Sequence, residues 1–275
     1  MAKKYAFAAA VPFLTQRSFI WKKGLTMHIS YGKFYSHNLG RDLEYKIYGT
    51  RGKPVLVIPC QGGRFYEFED MGMLGVYSPY IEDGRIQVFT VDSIDYETLF
   101  AGGDPRARIE RHEAWMRYII EEAVPLFSDI NTRANGWEIR FMASGLSLGA
   151  LHASTLFFRY PDVFDALLSL SGIYTNEYCF GSYHDDLTYI NSPQQFIAGM
   201  PSGHPYIAKY NSGRIVLCVG QGAWENETLE STAAFGNILK EKGISAWVDF
   251  WGGDVKHDWD WWFVQAAYFL PKILG

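Results

Sequence analysis

The sequence predicts a three-layer α/β fold: an eight-stranded, mostly parallel sheet with an antiparallel N-terminal start. Two observations carry that expectation. From residue 55 onward, continuous apolar runs alternate with amphipathic segments, the pattern of repeated strand–helix–strand units whose strands are buried on both faces. The two runs before that alternate apolar and polar residues and are joined by only a short Asn-Leu-Gly-Arg link, as in a hairpin with one face in water.

Taken in order, the expected strands are 28–37 (HISYGKFYSH), 42–49 (DLEYKIYG), 55–60 (VLVIPC), 86–92 (IQVFTVD), 137–145 (WEIRFMASG), 166–172 (ALLSLSG), 214–220 (RIVLCVG) and 245–251 (SAWVDFW). Helical spacing covers 105–127, where Pro105 opens the segment and Trp115, Tyr118, Ile119 and Ala123 share one face. Further helices are expected over 148–160, over 228–242 with Gly243 as its stop, and over 258–270 just ahead of Pro271. Residues 174–212 hold no sustained period and read as an irregular cap that could cover a site. With no repeat, low-complexity tract or linker, residues 27–275 are expected to form a single domain. Residues 1–26 read as an N-terminal extension. "MAKKYAFAAAVPFL" has the outline of a signal peptide, but Pro12 interrupts it, no small-residue cleavage site follows, and Met27 offers an alternative start.

Composition narrows the function. With a net charge of −5 over 275 residues, the chain lacks the basic excess that a nucleic-acid or anionic-membrane partner calls for. Cys60, Cys179 and Cys218 form no C-x-x-C and no Cys/His ligand spacing, so neither a disulfide framework nor a zinc site is expected. This cysteine usage fits a reducing, cytoplasmic setting, with secretion as the alternative. No apolar run is long enough to span a bilayer. Oligomeric state is not legible.

In sheets of this kind ligands bind beyond the carboxyl ends of the strands, and one such end carries Gly145-Leu146-Ser147-Leu148-Gly149. A strand runs into this G-x-S-x-G and a helix leaves it. The glycines allow a tight bend that exposes the serine hydroxyl beside the amides of a helix start. A serine needs a base. His257, in "WGGDVKHDWDWW", follows the last strand and is the first choice, with His184 and His204 in reserve. His28 and His37 bracket the first strand, His112 sits among charged residues and is expected in solvent, and His152 is expected to be packed on the serine's own helix. The carboxylate that would orient the base is expected after the seventh strand, in "GQGAWENETLE": Glu225 is preferred as nearer the strand end, and Glu227 is the alternative. Asp254 and Asp258 read as loop or cap groups. For the oxyanion, amides are expected from Leu148 and from Gln61 or Gly62, just past the third strand. Trp259, Trp261 and Trp262 could line an acyl pocket or simply pack. No cofactor or metal motif is present.

These residues bring a family into view. From about Met27 to the end, the chain resembles the putative-esterase family of α/β-hydrolases, which includes esterase D-like S-formylglutathione hydrolases, feruloyl and acetylxylan esterases, and mycolyltransferases. The resemblance rests on "GLSLGALHAS" with "RYPDVFDALLSLSG" behind it, on "GQGAWE" and on "HDWDWW". It implies Ser147 as nucleophile, His257 as base and Glu225 as acid. Two departures stand out: Ala150 replaces a second glycine found in many members, and the acid candidates are glutamates where several relatives carry aspartate. The expected activity is serine carboxylic-ester hydrolysis on a small or medium ester. An acyltransferase sharing the acyl-enzyme step is the alternative, and an inactive binding module is a rival of another class.

Overall fold

A computed structural model describes residues 27–275; the expectations for residues 1–26 lie outside them. The strands are β1 (Ile29–Ser36), β2 (Arg41–Tyr48), β3 (Lys53–Ile58), β4 (Ile86–Val91), β5 (Phe141–Leu146), β6 (Phe164–Leu170), β7 (Arg214–Val219) and β8 (Trp247–Phe250). They form one sheet in the order β1-β2-β4-β3-β5-β6-β7-β8. β1 pairs antiparallel with β2 and β2 with β4, and every later pairing is parallel. This is the mostly parallel sheet with an antiparallel start that the hydropathy pattern predicts.

The helices are α1 (Glu67–Asp70), α2 (Leu74–Glu82), α3 (Pro105–Arg117), α4 (Val124–Asn135), α5 (Leu148–Arg159), α6 (Glu177–Phe180), α7 (Asp186–Ile190), α8 (Pro193–Gly199), α9 (Pro205–Asn211), α10 (Asn226–Glu241) and α11 (Trp259–Leu274). Successive strand residues point to opposite faces, so Leu56 and Ile58 join the apolar cluster beneath α3, α4, α5 and α10. Val55 and Val57 join the cluster beneath α2 and α11. Each such side chain, when fully buried, contributes roughly 1.5–3 kcal/mol.

Several boundaries differ from the sequence reading. The segment expected as one helix over 105–127 is helical as far as Asn135, with a wide π turn at Tyr118–Ala123. Pro125 explains the turn: it has no N–H to give the carbonyl four residues back, and its ring would clash there in regular α geometry. The fifth strand begins at Phe141 rather than at 137. Gly136, at φ 85°, ends α4, and Trp137 lies exposed in the link that follows. Residues 174–212 are not irregular but hold α6, α7, α8 and α9, each too short to show a period. They pack against α3 and α5 through Arg106, which pairs with Asp185 and Asp186, and through Arg159, which bonds Glu113 and Asn191. The last helix also continues past 270 through Pro271, which forgoes the hydrogen bond to the carbonyl four residues back. Among the described residues no helix is long and apolar enough to cross a membrane.

Candidate active site

The site lies where β3, β5, β7 and β8 end. Ser147 occupies the bend from β5 into α5 with φ 55° and ψ −125°, a conformation that costs a non-glycine residue of order 1–3 kcal/mol and persists only where the surroundings enforce it. They do so by close packing. A Cβ at Gly145 would come within 2.1 Å of the Gly149 carbonyl oxygen, and one at Gly149 within 2.4 Å of the Pro59 carbonyl oxygen. The two glycines thus let α5 press onto the ends of β3 and β5. Ala150 is fully buried, and a Cβ at Gly172 would lie 2.9 Å from its own Cβ. The methyl group is accommodated because residue 172 has no side chain.

His257 bridges the serine and a carboxylate. Its Nε2 lies 2.8 Å from Ser147 Oγ and its Nδ1 lies 3.1 Å from Glu225 Oε2. An ionised carboxylate only accepts, so Nδ1 carries the hydrogen and Nε2 is left to accept from the serine hydroxyl. The ring is fixed from below by Trp262, edge-on at 4.9 Å and 82°, and its backbone N–H is donated to Ala223. Glu225 is 1% exposed. Besides His257 it accepts from Ser171 Oγ (2.6 Å), from Thr228 Oγ1 and from the Gly220 amide (3.3 Å), while the Trp262 indole N–H supports Ser171 at 2.9 Å. Such charge-assisted bonds offset the cost of burying a carboxylate. Glu227, the alternative acid, is exposed in the first turn of α10.

The other expected residues separate cleanly. His204 caps α9 through its own ring, and His28 bonds Ser30 at the sheet edge. Asp258 caps α11. Neither His184 nor His37 has a bond to Ser147. His152 is packed, as expected, but His112 is not in solvent. It is 3% exposed, its ring 5.2 Å from that of His152 and stacked near Trp115. Burial, reinforced by the neighbouring His152, pushes its pKa well below the ordinary value. The charged neighbours that suggested exposure turn elsewhere: Glu113 pairs with Arg159 at 2.7 Å. Of the tryptophans, Trp262 is buried beneath His257, and Trp259 lines a small cavity with Cys60, Glu67 and Leu146.

The turn after β3 also departs from expectation at one position. The Gly62 N–H is donated to Asp95 Oδ2 at 2.8 Å and is therefore not free for a ligand. Cys60 N–H goes to Glu67 Oε2 (2.8 Å) and Gly63 N–H to the Cys60 carbonyl (2.9 Å). That leaves Gln61 N–H with no acceptor among the described residues. Leu148 N–H opens α5 and has no acceptor within it. Burial raises the Glu67 carboxyl to about 6.

With this geometry in place, comparison with known proteins decides the family. A family model described as Putative esterase matches residues 36–267. The chain belongs to this esterase family. No curated protein matches it in sequence. In fold it is similar to an S-formylglutathione hydrolase from Agrobacterium tumefaciens, at 13% identity and a TM-score of 0.70, covering 92% of this chain and 97% of that one. It is likewise similar to a ferulic acid esterase from Anaeromyces mucronatus (12% identity, TM-score 0.64, covering 92% of each chain). A third is MPT51 from Mycobacterium tuberculosis (15%, 0.64, covering 90% of this chain and 98% of that one). At these identities the likeness speaks for the α/β-hydrolase fold, and the family speaks for ester hydrolysis or acyl transfer.

Proposed function

We propose that this esterase is a serine carboxylesterase working through an acyl-Ser147 intermediate on a small or medium ester. One observation carries the reading: His257 bridges Ser147 Oγ and Glu225 Oε2 at 2.8 and 3.1 Å, at a serine held in a strained strand-to-helix bend. Ser147 Oγ attacks the ester carbonyl while His257 Nε2 takes its proton, and Glu225 stabilises the imidazolium that forms. Leu148 and Gln61 amides receive the oxyanion. Collapse expels the alcohol, protonated by His257. Water, activated by the same imidazole, then releases the acid and restores the serine.

An alcohol in place of water would make the same site an acyltransferase. Hydrolysis is preferred because Ser147 is only partly buried, so water reaches the acyl group. Ser147→Ala is expected to abolish p-nitrophenyl acetate turnover without changing the unfolding temperature, and retained turnover would overturn the assignment. Added alcohols that diverted most of the acyl group into new esters would favour the transferase reading. A folded wild-type protein that neither turns over esters nor reacts with a fluorophosphonate would be a binding module.

A further inference from the structure

The two amides assigned to the oxyanion come from separate pieces of chain: Leu148 opens α5, and Gln61 lies in the turn after β3. Their spacing therefore has to be set by something that ties those pieces together. A buried pair does so. Asp95, in the short helical turn Asp95–Glu97 after β4, accepts the Gly62 N–H on Oδ2 (2.8 Å) and bonds His152 Nε2 through Oδ1 (2.9 Å). His152 belongs to α5, the helix that Leu148 begins. One carboxylate thus joins the residue next to Gln61 to the helix that carries Ser147 and Leu148.

The pair is built to stay put. Asp95 and His152 are 2% and 1% exposed. The Asp95 carbonyl accepts the amides of Thr98 and Phe100 at 3.1 and 2.8 Å, which fixes its backbone. His152 is flanked by His112 and Trp115 from α3, with ring centroids 5.2 and 5.0 Å away. The Trp115 indole N–H is anchored on the Asp92 carbonyl at 3.0 Å. Taking the Gly62 N–H also sets the orientation of the turn, leaving Gln61 as the amide with no acceptor among the described residues.

We infer that Asp95 and His152 are positioning residues that lock the β3 turn to α5 and so set the oxyanion site, an inference that rests on the reading of Ser147 as nucleophile. Neither residue bonds Ser147, His257 or Glu225. Their loss should therefore act on transition-state stabilisation and leave ester binding and serine ionisation largely alone.

The test is kinetic, on the full chain with p-nitrophenyl acetate, with active sites counted by fluorophosphonate titration so that unfolded protein does not enter the rate. Asp95→Ala is expected to lower kcat per titrated site roughly 10- to 100-fold, with KM changed much less, since a misplaced oxyanion donor costs on that order. Affinity for a boronic acid that forms a tetrahedral serine adduct should fall in parallel. Asp95→Asn, whose amide oxygen still accepts from Gly62, should recover most of the loss. The double variant Asp95→Ala/His152→Ala should be little worse than Asp95→Ala alone, because both remove one connection. If Asp95→Ala does not fold, Asp95→Asn compared with His152→Ala carries the same contrast: His152→Ala impaired in kcat and boronate affinity with Asp95→Asn near wild type. Wild-type kcat per site in Asp95→Ala or His152→Ala, or a loss confined to KM, would overturn the inference. Turnover retained by Ser147→Ala would instead overturn the nucleophile assignment beneath it.

Discussion

Among the described residues, two carboxylate–imidazole pairs have nearly equal geometry and different consequence. Glu225 meets His257 at 3.1 Å, and Asp95 meets His152 at 2.9 Å. Both carboxylates are almost wholly buried. What separates the pairs is the second nitrogen of each ring. That of His257 reaches a serine hydroxyl at a partly open bend, whereas His152 Nδ1 is buried with no partner and faces aromatic rings. A carboxylate–histidine pair is therefore not itself a sign of proton transfer. The imidazole must also have somewhere to send the proton, and in the second pair the structure provides only a fixed distance between two pieces of backbone.

The largest break in this comparison comes from the first pair. His257→Ala should cost about 10⁴-fold or more in kcat, as removal of a base that acts together with its nucleophile does, measured by p-nitrophenyl acetate turnover. Glu225→Gln should cost about 10²- to 10⁴-fold, while Glu227→Gln, an exposed change, should leave both rate and stability within error. Equal losses at 225 and 227 would refute the assignment of the acid. The supports of Glu225 come next. Ser171→Ala removes a hydrogen bond to a buried charge, worth about 1.5–3 kcal/mol, and should lower both kcat and the unfolding temperature.

The smallest expected effect is on the pH dependence of stability. The folded pKa of His112 lies well below its ordinary 6.5. Below that pH the unfolded chain binds a proton that the native state refuses, so stability falls by up to about 1.4 kcal/mol per pH unit. Glu67 acts in the opposite sense. Its carboxyl, raised to about 6 by burial from an ordinary 4.5, takes up a proton on the native side first and stabilises the fold as pH drops through that window. Glu67→Gln should therefore add of order 1 kcal/mol at pH 7, after allowance for its partial exposure. It should also make the loss between pH 6 and 4.5 steeper than in the wild type. Thermal melts across that range check both signs.

The same comparison explains what could be read from the chain alone. Ser147, His257 and Glu225 each stand just beyond the end of a strand, so a local pattern of strand followed by a polar residue is enough to single them out. Asp95 and His152 are 57 residues apart and meet only because β4 and α5 border the same strand ends, and nothing in either neighbourhood announces the contact. His112 misleads for a related reason: its charged neighbours find partners on other elements, leaving the imidazole in the core. Gly62 was eligible as an oxyanion donor by position, and only the tertiary bond to Asp95 removes its N–H. Chain order and hydropathy thus carry the sheet and the Ser147–His257–Glu225 cluster. The side that would hold the oxyanion depends on contacts between distant segments.

The central claim, that Ser147 is the nucleophile, is tested most directly by reacting the folded protein with a fluorophosphonate and locating the adduct by tandem mass spectrometry. The expected result is stoichiometric modification of Ser147, lost in His257→Ala at the same reaction time. An adduct on any other residue, or none on a protein that still hydrolyses p-nitrophenyl acetate, would contradict it.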